Sequence, residues 1–233
     1  MPRTVAPIRS IVKHVPRRTT TANALLGLLA LRPAWPVYEL TKQLRRTMRF
    51  FWPRAESRIY DEAKALVDRG LATAESTVVG GRRRTTYAIT EAGRQAVRSW
   101  LATPPRPSAL ECEALLRVFL LDLAETEQVQ RALDQVVADA HAILDVGRVV
   151  GPEYLAGTAP FQDQVHVRAL VFDFLTHHAL MLLEWAERTR ATLGDWPEMD
   201  AGARQQAARQ AIAAILARYP APDSRTGSRS TTG

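Results

Sequence analysis

Apolar residues recur at helical spacing before Gly70 and predict three helices there. The first helix is expected to run from Thr20 or Thr21, which suit the N-cap, to about Leu31. The second is expected to begin at Pro36, because proline fits the first turn of a helix, where its missing N–H costs nothing. The third is expected over residues 55–69, with a buried stripe formed by Ile59, Ala63, Leu66 and Val67.

After Gly70, a residue suited to a helix C-terminus, the pattern changes to that of strands. Residues 71–79 and 84–90 are rich in Thr, Val, Tyr and Ile, which favour a pleated surface. The intervening Gly80-Gly81 is a turn signal, so the two segments are expected to form a β-hairpin. A fourth helix is expected after a Thr90 cap.

Beyond the prolines at positions 104, 105 and 107, the apolar pattern is helical throughout. It predicts helices over residues 110–123, from a Thr126 cap to about Leu144, and from about Gln162 to Leu193. An Ala-rich helix is expected over residues 200–219. A loop is expected between the two long helices, around Gly151, Pro152, Gly157 and Pro160.

Charge is distributed unevenly along the chain, which has a formal net charge of +7 at pH 7. Residues 1–106 contain 20 Lys and Arg against 7 Asp and Glu, a net +13, whereas residues 107–233 contain 11 against 17, a net −6. Such asymmetry indicates a part that binds a polyanion joined to a part with another task. The alternative is an ordinary solvated surface of varying charge.

The element order is that of a winged helix-turn-helix, in which the third helix fits the major groove of DNA and the basic hairpin reaches the minor groove or phosphates. The fold class is therefore mainly α with a small β-hairpin: an N-terminal winged helix-turn-helix followed by a C-terminal helical dimerisation domain. For each DNA-binding candidate the alternative is a solvated surface position, and for Tyr60 the alternative is packing on the core. These candidates are Lys42, Arg46, Ser57, Arg58, Tyr60, Arg82, Arg83 and Arg84.

Residues 22–103 resemble the PadR family of transcriptional regulators. The resemblance begins with Leu-Leu-Gly-Leu-Leu at 25–29, Tyr38-Glu39-Leu40 at the start of the second helix, and Ser-x-x-Tyr at 57–60. One departure is Trp35-Pro36, which stands where the family often has His-Gly and predicts a stiffer, bulkier turn.

The resemblance continues with Leu-x-x-x-Gly-Leu at 66–71, Arg-x-x-Tyr-x-Ile-Thr-x-x-Gly at 84–93, and Trp100-Leu101. It implies a repressor that binds a roughly palindromic operator as a homodimer through its C-terminal helices. It also implies release by a small aromatic or drug-like effector, whose identity the sequence does not specify.

These patterns divide the chain into six parts. Residues 1–19 are expected to be a disordered basic arm, since they are basic and lack apolar periodicity. The winged-helix DNA-binding domain is expected at 20–103, followed by a Pro-rich hinge at 104–108. The other parts are a helical dimerisation domain at 109–196, an additional helix at 197–219 and a disordered tail at 220–233.

Catalytic and metal-binding patterns are missing from the sequence. It has no G-x-G-x-x-G, P-loop, G-x-S-x-G or H-E-x-x-H motif, so we expect neither an enzyme nor a cofactor. The single cysteine, Cys112, excludes an internal disulfide and a Cys-based zinc site. Asp173 precedes His177 by one helical turn, but the adjacent His178 cannot share that face, so no metal site is predicted.

Apolar stretches are too short to cross a bilayer, and no signal-peptide pattern is recognisable, so a cytoplasmic protein without a membrane partner is expected. The predicted function is a sequence-specific DNA-binding transcriptional regulator that represses as a homodimer. The alternative is a DNA-architectural or partner-binding protein without a defined operator. The ratio of affinities for operator and random DNA distinguishes these two hypotheses.

Overall fold

The computed structural model describes residues 18–53, 58–79, 81–196 and 199–218, and no side chain is described for Thr47, Val79, Arg82 or Arg83. Most of the predicted N-terminal arm and all of the predicted C-terminal tail lie outside these ranges. The described residues form two compact units, one ending at Ala109 and the other beginning at Leu110.

The first unit combines four helices with a three-stranded antiparallel sheet. Its helices are α1 (Thr20–Leu29), α2 (Val37–Thr47), α3 (Ile59–Asp68) and α4 (Glu91–Leu101). Its strands are β1 (Trp35–Pro36), β2 (Ala72–Val79) and β3 (Arg82–Ile89), with β3 in the centre of the sheet. The predicted hairpin and the fourth helix are confirmed, and Thr90 caps α4 as expected.

Helix α1 is the centre of the first unit's hydrophobic core. It begins after Thr19, whose hydroxyl accepts a hydrogen bond from the Ala22 amide, one residue before the predicted cap. It packs against α3 and α4, and four of its leucines are buried: Leu25, Leu26, Leu28 and Leu29. Burying a leucine side chain stabilises a fold by about 1.5–3 kcal/mol, so this helix contributes strongly to the unit.

Strand β1 was not predicted from the sequence. Trp35 pairs with Tyr87 and Pro36 with Thr86 at the edge of the sheet, and the Trp35 side chain is fully buried. Pro36 has extended backbone angles and occupies the cap position before α2, so the prediction that it lies in the first turn is wrong. Proline is tolerated in an edge strand because its missing N–H interrupts no interior ladder.

The joint between α3, the sheet and α4 is held by Thr90. Its hydroxyl donates to the Gly70 carbonyl at 2.8 Å and accepts from the Gly93 amide at 3.0 Å. Gly70 has a φ of +69°, the left-handed conformation expected of a residue that ends a helix. A Cβ at Gly93 would lie 2.1 Å from the Leu71 carbonyl oxygen, so only glycine fits there.

The second unit is helical, as predicted, although several helix ends differ. Helix α6 (Thr126–Leu155) continues through Gly151 and Pro152, where a loop was expected, and its N-cap is Glu125 rather than Thr126. The region predicted as one helix at 110–123 is a short helix followed by a 3-10 turn at Leu121–Leu123. The unit contains α5 (Glu113–Phe119), α6 (Thr126–Leu155), α7 (Val165–Asp195) and α8 (Ala201–Leu216).

Helices α6 and α7 pack along each other and supply most of the second unit's core. Its buried members are Val129, Leu133, Val136, Ala186 and Leu193, with Leu182, Trp185 and Trp196 half-buried against them. Of the helices within the described ranges, none is both long and apolar enough to cross a membrane.

Candidate nucleic-acid interface

The N-terminal end of α3 carries exposed side chains that were predicted from the sequence to contact DNA. Arg58 is exposed at the position preceding the helix, and Tyr60 in its first turn is 61% exposed. The opposite side of α3 is buried through Ile59, Ala63 and Leu66. Packing therefore fixes the helix while its other face remains open to a partner.

The structure adds Lys64 to this exposed face of α3. Lys64 is exposed and lies four residues after Tyr60, so the two share one side of the helix. Sequence reasoning missed it, although the same spacing identifies it once the buried stripe is assigned. Ser57, another predicted contact, lies outside the described residues.

Helix α2 contributes a second group of cations. Lys42 is exposed and Arg46 is half-buried, and both belong to the predicted set. Arg45 is also exposed on this helix and was not among the candidates. These three cations lie on the side of α2 opposite Leu40 and Leu44, which are buried in the core.

The wing is the hairpin of β2 and β3. Its ladder runs from Ala72 opposite Ile89 to Val79 opposite Arg82, and Gly81 in the turn has a φ of +77°. The backbone of Arg82 and Arg83 therefore forms the start of β3, next to the turn, although their side chains are not described. Gly80 of the predicted Gly80-Gly81 turn also lies outside the described residues.

Arg84, the third arginine of the wing, faces α2. Its guanidinium donates to the Tyr38 hydroxyl at 2.9 Å, lies 5.1 Å from the centre of that ring, and is 3.7 Å from the Glu39 carboxylate. Glu39 also accepts a hydrogen bond from Tyr38 and pairs with Arg32 at 3.6 Å. These contacts attach the wing to α2 and neutralise part of the charge of Arg84.

The residues considered as metal ligands in the sequence lie outside this region, in the second unit. His177 Nδ1 lies 3.2 Å from Asp173 Oδ1, on the exposed surface of α7. Within the described ranges, no group of three or more His, Cys, Asp or Glu side chains is arranged to hold a metal ion. Cys112 is a half-buried free thiol before α5.

Comparison with known proteins identifies relatives of the first unit. Residues 25–99 match the sequence model of the transcriptional regulator PadR-like family. The negative transcriptional regulator PadR of Bacillus subtilis strain 168 is 28% identical over 107 residues, which cover 45% of this chain. The match spans 58% of that curated relative's length.

Two solved structures of Bacillus subtilis PadR have a similar fold. The complex with operator DNA gives a TM-score of 0.61 at 22% identity, covering 75% of this chain and 99% of that one. The complex with p-coumaric acid gives a TM-score of 0.56 at 22% identity, covering 74% and 98%. At this identity, the likeness establishes a shared fold.

Proposed function

We propose that this chain, which belongs to the PadR-like family of transcriptional regulators, represses transcription by binding operator DNA as a homodimer in the cytoplasm. One observation carries the proposal. Helix α3 is fixed by its buried face and presents Arg58, Tyr60 and Lys64 on its open face, within a half of the chain that carries a net +13. An α-helix held from behind in this way fits the major groove of B-DNA, and Arg58 and Lys64 place cations on the face that would enter it.

The candidate residues take different roles in this proposal. Ser57, Arg58 and Tyr60 contact base edges, because the N-terminal residues of a recognition helix lie deepest in the groove. Lys42 and Arg46 on α2, and Arg82 and Arg83 on the wing, contact phosphates and supply affinity that is independent of sequence. Arg84 positions the wing, a role that its contacts with Tyr38 and Glu39 support.

The surface of α7 supports the homodimer. Leu170 is 73% exposed and Phe174 is 65% exposed, and Val167 and Met181 are exposed beside them at helical spacing. Together with His178, which stacks on Phe174, these residues form a strip that we call the outer α7 stripe. Large apolar patches on a folded chain mark interaction sites, and a two-fold interface uses the same patch on both subunits.

A small aromatic effector completes the proposal, since it would release the repressor from DNA. Bacillus subtilis PadR has been crystallised both with operator DNA and with p-coumaric acid. A regulator of the same fold therefore combines the two kinds of binding, which supports the same combination in this chain.

Selection of binding sites from random DNA, followed by titration, tests specificity. We expect a two-fold related sequence that binds about a thousandfold or more tightly than random DNA, the usual lower range for specific regulators. Equal affinity for selected and random DNA would contradict the operator and support the architectural alternative.

Two variants with matched controls test the residue roles on the selected site. Arg82→Ala with Arg83→Ala should lower the salt dependence by about 0.9 per lost phosphate contact, whereas Arg204→Ala with Arg209→Ala on α8 should leave it unchanged. Arg58→Ala should cost about 1–3 kcal/mol on the operator and little on random DNA, if Arg58 reads a guanine. Arg69→Ala, at the other end of α3, is the control; an equal loss on both DNAs would make Arg58 a phosphate contact.

A further inference from the structure

A cavity of about 630 Å³, open to solvent along one side, lies on the second unit between α7, α8 and the segment of α5 with its following turn. Small-molecule sites in proteins enclose roughly 300–1,000 Å³ and are lined mainly by apolar and aromatic side chains. The lining of this cavity has that character, since it includes Phe119, Leu121, Trp185, Trp196 and Ile215.

The two tryptophans give the cavity its shape. Trp185 and Trp196 are eleven residues apart, about three helical turns, so they line the same side of α7 and its end. Opposite them, α8 contributes the small side chains Ala211 and Ala214 together with Ile215. Aromatic side chains facing small ones leave a space suited to a flat ring system, which stacks on one of the two tryptophans, since eleven residues separate them by about 16 Å along the helix.

The charges that line the cavity cancel. Glu184 and Arg188 form an ion pair with each other, and Asp122 and Arg218 carry opposite charges. A ligand with a net charge would meet no excess of opposite charge there, so the lining offers it no net electrostatic attraction to offset the hydration that it loses against the apolar side chains. The lining therefore favours a ligand without net charge.

Two hydroxyl groups give the cavity a hydrogen-bonding preference. Thr189 donates to the Trp185 carbonyl at 2.8 Å, and Thr192 donates to the Arg188 carbonyl at 3.0 Å. Because these hydroxyl hydrogens are used within the helix, the oxygens remain available as acceptors. A ligand that carries an O–H or N–H donor satisfies them.

We propose that this cavity binds a planar, uncharged aromatic molecule with a hydroxyl or amino donor, and that the molecule holds α8 against α7. The described residues of α8 are all exposed, so a ligand that bridges the two helices would add contacts that the helix otherwise lacks. A coupling of this ligand to repression rests on the proposed function, whereas binding of the ligand to the cavity does not.

The test is a fluorescence titration of the full chain with 1-aminoanthracene in the absence of DNA. Anthracene-9-carboxylate, which has the same rings and a negative charge, is the matched probe. We expect one molecule of 1-aminoanthracene per chain and binding of the carboxylate weaker by about tenfold or more, because a carboxylate loses hydration against the apolar lining; tenfold corresponds to ~1.4 kcal/mol. Absence of 1-aminoanthracene binding, or equal binding of both probes, would overturn the proposal.

Two substitutions on α8 locate the site. Ile215→Glu replaces an apolar lining side chain by a hydrated carboxylate and should weaken 1-aminoanthracene binding about tenfold or more, because the probe loses apolar contact and must displace water from the new charge. Ile212→Glu is the matched control, because Ile212 is 56% exposed against 53% for Ile215 but does not line the cavity. Circular dichroism of both variants verifies their helix content. Equal binding by a folded Ile215→Glu variant and the unmodified chain would place the probe elsewhere.

Operator titration of the same preparation separates this proposal from the proposed function. A chain that binds 1-aminoanthracene at the Ile215 site but selects no operator supports the cavity and contradicts the repressor. A chain that binds its operator but not the probe supports the repressor and overturns the cavity.

Discussion

Helices α1 and α7 are both rich in large apolar residues, yet the chain covers them differently. In α1 the leucines are buried, and Leu26 and Leu29 have no exposed surface. In α7 only the side facing α6 is covered, and Leu170 and Phe174 remain exposed by 73% and 65%. The first helix is therefore enclosed within its own unit, whereas the second has apolar surface left over.

Under the proposed function, this difference corresponds to two tasks. The first unit completes a core from its own residues, and its surface carries cations such as Arg58 and Lys64. The second unit has a core between α6 and α7 and, beside it, the outer α7 stripe. An apolar surface that is exposed in the single chain is what an isologous dimer requires.

The largest expected effect comes from breaking the stripe. Leu170→Glu combined with Phe174→Glu should abolish self-association at micromolar concentration, because two central interface residues together contribute about 4 kcal/mol or more. The monomer should remain folded, since both side chains are exposed in the single chain. Size-exclusion chromatography with light scattering measures the change.

Leu180→Glu is the control for this variant. Leu180 is an exposed leucine of the same helix, but at about 100° per residue it lies roughly 120° around the helix from Phe174. Loss of self-association in the control as well, or in neither variant, would show that the outer α7 stripe is not the interface.

A smaller effect is expected from adding a side-chain atom at a tightly packed glycine of the first unit. Gly93→Ala should lower the free energy of unfolding by about 1–3 kcal/mol, because the new Cβ would overlap the Leu71 carbonyl oxygen. Gly27→Ala in α1 should be neutral or stabilising by up to ~1 kcal/mol, since nothing lies within 4 Å of its Cβ position and alanine favours helix. Urea unfolding of both variants compares them; an equal change would refute the packing assigned to Gly93.

The smallest effect concerns the attachment of the wing. Arg84→Ala should weaken operator binding modestly while leaving the salt dependence nearly unchanged, because in the single chain its guanidinium contacts Tyr38 and Glu39. Glu39→Gln should have a similar effect, since partly exposed ion pairs contribute only about 0.2–1 kcal/mol. A fall in salt dependence close to 0.9 for Arg84→Ala would instead make it a phosphate contact.

The sequence predicted those elements whose periodicity is local. Helices α1, α2, α6 and α7 and the hairpin follow from apolar spacing and turn residues, which need no knowledge of distant partners. Strand β1 has two residues and exists through pairing with β3, so no local pattern reveals it. Helix α6 passes Pro152 at the cost of the one hydrogen bond that its missing N–H would make, and the helix ends three residues later, at Leu155.

For the candidate site, too, the sequence predicted what depends on local spacing and missed what depends on distant partners. The exposure of Arg58 and Tyr60 follows from the buried stripe of α3, and the stripe also identifies Lys64. The contacts of Arg84 join the wing to residues on a helix far away in the sequence, so its second role becomes visible only in the fold. Ser57 and the side chains of Arg82 and Arg83 remain predictions.

The central claim is that two copies of this chain, joined by their second units, act together on one operator. Sedimentation equilibrium of the full chain at micromolar concentration, with and without one operator duplex, tests it most directly. We expect a particle of twice the 25.9 kDa chain mass in the absence of DNA, and two chains on each duplex in its presence. A monomer that nevertheless binds its operator tightly and alone would contradict it.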